Sequence, residues 1–135
     1  PIVAACSGHG IALGTFLLCC CDYRFGVKGE FLLGANEMRT NMVIPTPILE
    51  LIKFRVSPSH KYRSILGAEM YPLEKAIDAG LMDQVVDPDK LMVAAMEKAK
   101  DLATMGHPSY TLTKALYIKD VADSIDSAIK DLETQ

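Results

Sequence analysis

Pro1-Ile2-Val3-Ala4-Ala5-Cys6-Ser7-Gly8-His9-Gly10-Ile11-Ala12-Leu13-Gly14 is the stretch that decides the fold. Its first six residues are apolar on both faces of a strand, and a strand of that kind expects neighbours on both sides. Ser7-Gly8-His9-Gly10 has the composition of a turn. The run 11–21, IALGTFLLCCC, then reads as a fully apolar helix that stops near Asp22. Working outward, 23–27 is a second short strand, 28–30 a turn, and 31–34 a third strand. Strand, helix, strand in close order predicts an α/β unit with a right-handed crossover. Starting directly on a core strand, the chain reads like the later part of something larger.

Downstream the pattern turns mostly helical. A loop over 35–45 ends at Pro45, and Pro47 opens a helix to about residue 56. Ser57-Pro58 is expected to cap a helix reaching about residue 66. Tyr71-Pro72-Leu73-Glu74 opens another, closed by Gly80 at a C′ position. A strand over 83–86 precedes an amphipathic helix with Leu91, Ala94, Ala95, Ala99 and Leu102 on one stripe. A last helical region follows Gly106-His107-Pro108 and breaks near Asp120. The expected division is a partial β/α core over 1–56 and a helical C-terminal region over 57–135.

Bulk properties exclude several classes. The net charge is −3 and the basic residues are scattered, so nucleic acid is not an expected partner. No apolar run approaches the roughly 20 residues of a membrane span. Three of the four cysteines, Cys19-Cys20-Cys21, are consecutive, and successive helical residues point about 100° apart, so they do not converge on a metal. Adjacent cysteines are also poor disulfide partners. Read as small buried hydrophobes, they fit a reducing, cytosolic compartment. The seven methionines read as flexible packing.

One acid stands in the stretch that looks like an active site. Glu37 follows the apolar run Phe31-Leu32-Leu33-Gly34-Ala35-Asn36, at the end of a buried strand where water is scarce. A carboxyl group in such a place can move protons; the competing reading is a solvated loop glutamate. Asn36 either orients that carboxylate or a ligand through its amide, or is a turn residue tolerating left-handed geometry. His9 is read as a structural or solvated turn histidine rather than a catalytic one.

The segment 1–14, continuing to Cys21-Asp22-Tyr23-Arg24, resembles the enoyl-CoA hydratase/isomerase (crotonase) family. Its members carry a run like P-V-I-A-A-V-N-G-x-A-x-G-G-G followed by a helix ending in C/A-D. The likeness continues through Phe31 to Glu37, at Ile44-Pro45, and from Ala68 to Val86, where the family has a variant of I-S-A-x-E-A-x-x-x-G-L-V-x-x-V-V. The resemblance implies a partial crotonase-like β/α spiral followed by a mainly helical region. It also implies chemistry on an acyl-CoA thioester whose carbonyl oxygen is held by two backbone N–H donors as an enolate develops. CoA would enter as part of the substrate, with no resident cofactor and no metal.

Carried over by position, the second of the hydratases' two glutamates matches Glu37, and the first falls on Phe16, which has no proton to give. One backbone donor falls on Leu13, between Ala12 and Gly14, and Gly14 would allow the close turn. The other donor belongs to earlier β/α units that this sequence does not contain. A single carboxylate suits a double-bond shift, which needs one group to remove a proton and return it nearby, better than hydration. The implied setting is fatty acyl metabolism, with a trimer-type homo-oligomer or a complementing N-terminal half. The alternative is a non-catalytic remnant serving as an acyl-CoA-binding or oligomerisation module.

Overall fold

The computed structural model describes residues 1–134. In chain order the elements are β1 (Val3–Cys6), β2 (Gly10–Ile11), α1 (Leu13–Cys19), β3 (Tyr23–Val27), β4 (Leu32–Gly34), α2 (Thr46–Arg55), α3 (Lys61–Ile65), β5 (Tyr71–Pro72), β6 (Gln84–Val86), α4 (Leu91–Ala103), α5 (His107–Tyr117) and α6 (Lys119–Glu133). Tight 3-10 turns at Glu37–Thr40, Pro58–His60 and Pro88–Lys90 join some of them.

Two small sheets form the framework. In the first, β1, β3 and β6 lie side by side and parallel, with Val3 opposite Tyr23 and Phe25 opposite Gln84. In the second, β2 and β4 run parallel, with Ile11 opposite Gly34, and β5 joins β4 antiparallel, with Tyr71 opposite Leu33. Parallel neighbours linked through a helix give the α/β class expected from the sequence. β1 and β2 are the outer strands of their sheets.

The local sequence explains the elements and corrects some expectations. Gly10–Ile11 is a strand, so the first helix begins at Leu13 and ends at Cys19 rather than filling 11–21. Ala12 breaks the helix: its φ of 52° lies outside helical space, and its N–H donates to Gly34 O across the sheet at 2.9 Å. Asp22 N–H then donates to Ile2 O at 2.8 Å and turns the chain into β3. Pro47 sits in the first turn of α2, where its missing N–H costs nothing, and the cations Lys53 and Arg55 lie in its last turn, at the negative end of the helix dipole.

Ser57 does not cap a helix. Its hydroxyl donates to Asp78 O at 2.7 Å, and a 3-10 turn precedes the short α3. Residues 71–80 are likewise no helix: Tyr71–Pro72 pairs as an edge strand, and hydrogen-bonded turns follow to Gly80, whose φ is +80°. Proline at a sheet edge forfeits no ladder bond, which is why this strand tolerates it. The break in the last helical region falls at Ile118.

The main core lies between the two sheets, α1 and α2. Leu33, Ile52, Leu73, Leu81 and Met82 are essentially sealed from solvent there, together with Phe16 and Cys19. A second cluster, Phe25, Val27, Leu91 and Ala95, packs α4 onto the outer face of the first sheet. α6 lies against α2 and closes the helical layer. No described helix is long and apolar enough to cross a membrane.

Candidate active site

The site is built where β2 and β4, neighbours and parallel, reach their carboxyl ends. Open α/β sheets bind ligands at that edge. From β2 the chain passes through Ala12 into α1, so the N–H of Leu13 belongs to the first helical turn and has no acceptor within the helix. From β4 it passes through Ala35 and Asn36 into the 3-10 turn that begins with Glu37. The pairing of Ile11 with Gly34, and the bond from Ala12 N–H to Gly34 O, bring the two exits together.

Glu37 is 7% exposed, and its Oε2 is buried without a hydrogen-bond partner among the described residues. A buried carboxyl oxygen without a partner is costly and uncommon in a folded chain. The backbone around it is well fastened. Glu37 O accepts from Met42 N–H at 2.9 Å and from the Thr40 hydroxyl at 3.1 Å. Arg39 reaches away from the carboxylate and donates through Nε to Ala68 O at 2.9 Å. Asn41 closes the turn in the left-handed region, with φ of 56°. Asn36 is half-buried at the head of the turn and its side chain makes no capping bond.

The residues named from sequence fall out unevenly. Leu13 turns its side chain outward, 65% exposed, while its amide lies at the helix start. The strain of the turn rests on Ala12, not Gly14: a Cβ built on Gly14 meets nothing within 4 Å. Phe16, onto which the resemblance carries the hydratases' first glutamate, is buried in the main core. Sequence reasoning passed over Thr15, which is fully buried and bonded to both strands of the site, because those bonds are non-local.

His9 is structural: its Nδ1 accepts from Leu32 N–H at 3.0 Å and its ring stands edge-on to Phe31. Burial pushes the Cys19 thiol up to about 12, so it stays protonated, and Cys20 is exposed. No described cluster of three or more His, Cys, Asp or Glu side chains could hold a metal. A cavity of about 570 Å³ lies elsewhere, lined by Asp22, Arg55, Tyr110, Lys114 and Tyr117. None of Leu13, Asn36 and Glu37 lines this cavity.

Comparison with known proteins identifies the fold family. The sequence pattern of the family described as Enoyl-CoA hydratase/isomerase matches residues 1–134. The chain is 25% identical to the mitochondrial enoyl-CoA delta isomerase 1 of Rattus norvegicus, over 92% of its own length and 43% of the relative's. It is 23% identical to crotonyl-CoA hydratase of Syntrophomonas wolfei, over 96% of its length and 49% of the relative's. A crystal structure of an enoyl-CoA hydratase/isomerase family protein from Pseudomonas syringae superposes with a TM-score of 0.93 at 38% identity, covering 97% of this chain and 57% of that one. The chain thus spans about half the length of the curated relatives it matches.

Proposed function

The chain belongs to the enoyl-CoA hydratase/isomerase family, and from that footing we propose that it binds an acyl-CoA thioester and shifts a double bond with Glu37 as its only proton carrier. What supports the reading is the buried, unpartnered Glu37 Oε2, three residues beyond Gly34, whose carbonyl accepts from Ala12 N–H in the turn just before Leu13. In the proposed reaction the thioester oxygen accepts from Leu13 N–H, Glu37 takes a proton from the carbon next to the carbonyl, and the resulting dienolate is reprotonated at its far end by the same group. A donor aimed at developing negative charge is worth several kcal/mol in a water-poor crevice.

Isomerisation is preferred to hydration because Phe16 leaves the site one carboxylate short. Activating water and protonating carbon together call for a second group. The backbone outlier supports the same assignment: a non-glycine residue held at φ of 52° costs about 1–3 kcal/mol, and such strain gathers at functional turns. Purified protein supplied with a 3-enoyl-CoA is expected to form the conjugated 2-enoyl product, and Glu37→Gln to slow it at least about 100-fold. Equal rates for the two proteins would refute the assignment.

The site also needs a second wall. β1 and β2 are each the outer strand of a sheet, and Ile2, Leu13 and Leu17 are exposed. A complementing β/α half or another copy of the chain would cover them, because open edges and exposed apolar surface promote association. The second reading, a binding or oligomerisation module without turnover, draws on these same strands and residues. An acyl-CoA thermal shift combined with no turnover would favour it; a ligand at about 100 times its Kd adds roughly 2.7 kcal/mol of stability.

A further inference from the structure

We propose that Thr15 is a positioning residue whose hydroxyl sets the spacing between the Leu13 amide and the Glu37 carboxylate; the inference rests on the reading of Glu37 given above. Thr15 is wholly buried in the first turn of α1. Its Oγ1 donates to Gly10 O at 2.5 Å and accepts from Gly34 N–H at 2.9 Å. One hydroxyl supplies a donor and an acceptor, so a single atom satisfies a backbone group on each of two adjacent strands.

Gly34 is thereby held from both sides. Thr15 takes its N–H, and Ala12 N–H donates to its carbonyl at 2.9 Å. A Cβ on Gly34 would come within 2.8 Å of Glu69 O, so the backbone already abuts the segment leading into β5. Gly34 lies three residues before Glu37, and Thr15 two residues after Leu13. The clasp therefore spans the two chains that present the proton carrier and the amide donor.

Neither packing nor helix propensity calls for threonine here. Valine has the same shape, and β-branched residues are weak helix formers. What threonine adds is the hydroxyl. Thr15→Val keeps the volume and removes the hydroxyl's bonds to Gly10 O and Gly34 N–H, so the strand ends can shift; Thr15→Ser keeps the clasp.

The test measures 3-enoyl-CoA isomerisation in Thr15→Val, Thr15→Ser and Leu91→Ala, the last a destabilising change in the second core, which contains neither Thr15 nor Glu37. Thr15→Val is expected to lose about 10- to 100-fold in kcat with KM nearly unchanged, the scale of a small misplacement of reacting groups. Thr15→Ser should stay within about threefold of the parent, and Leu91→Ala should keep its kcat while folded. Amide exchange at Gly34 should quicken in Thr15→Val and not in Thr15→Ser.

If Thr15→Val does not fold, Thr15→Cys carries the test, its weak thiol donor placing it below serine. Parental kcat in Thr15→Val, or equal losses in the serine and valine variants, overturns the inference and leaves the role of Glu37 standing. A parent whose conversion does not depend on Glu37 overturns both.

Discussion

Two acids flank strands in this molecule, and they are treated in opposite ways. Asp83, just before β6, accepts from the backbone N–H of Arg24 at 2.9 Å and from the guanidinium at 2.9 and 3.3 Å. Glu37, beyond β4, keeps a buried oxygen with no partner. The backbone divides along the same line. The described non-glycine residues with positive φ, Ala12, Asn41 and Ala68, all lie around the β2–β4–β5 sheet, and none lies in the β1–β3–β6 sheet. The contrast is between a region whose acid is fully bonded and one left strained and unsatisfied, as the proposed chemistry would require. Arg24 Nη1 is the one blemish on the quiet side, an unbonded nitrogen on a fork whose other two are engaged.

Exchanging the two roles by mutation puts that contrast under the most strain. Glu37→Gln is expected to lose turnover by about 100-fold or more while its melting temperature holds, since Oε2 surrenders no hydrogen bond. A melting loss equal to that of an Asp83 variant would erase the distinction. Asp83→Ala should do the reverse, lowering unfolding free energy in urea by about 2–3 kcal/mol, because it strands the buried Arg24; partial exposure of Asp83 keeps the figure below that of a fully buried pair.

Asp22 sharpens the comparison through pH. Burial alone would raise its carboxyl, but hydrogen bonds from Lys114 and the Ile2 N–H, with the Lys114 and Arg55 charges, outweigh that and hold it below the usual carboxylate range. A folded-state pKa that is depressed stabilises the fold fully above the ordinary carboxylate range, and the contribution disappears as pH falls through the lowered value. Asp22→Asn should therefore cost about 1 kcal/mol near neutrality and flatten the acid limb of the stability curve. An unchanged acid limb would contradict the network. The smallest expected effect is Ala12→Gly: relief of the strained φ, offset by the greater freedom of glycine when unfolded, should leave a gain of roughly 0.5 kcal/mol in urea titration. A loss there would mean that the turn is not strained.

Much of this was legible in the sequence, because β1 and β4 announce themselves through unbroken apolar runs and β3 through an aromatic and apolar run interrupted only by Arg24. Glu37 stood out as the lone acid beyond such a run, and the structure buries it. What stayed hidden depends on partners far along the chain. The start of α1 is set by the bond from Ala12 to Gly34, which no local pattern of Gly10-Ile11-Ala12 discloses. Tyr71–Pro72 mimics a helix start and becomes a strand only because Leu32 and Leu33 lie beside it. Thr15 looks like one residue of an apolar helix, and its role emerges only once β2 and β4 are adjacent.

The bond between Asp22 and Lys114 joins positions separated by 92 residues. During synthesis, which adds about 5–20 residues each second, Asp22 emerges well before α5 is made, when its cation nearest in sequence is Arg55, 3.9 Å away in the fold. Locking that corner late in translation makes α5 a closing latch. A ribosome stalled short of residue 114 should hold a nascent chain that proteases cut readily near the first sheet.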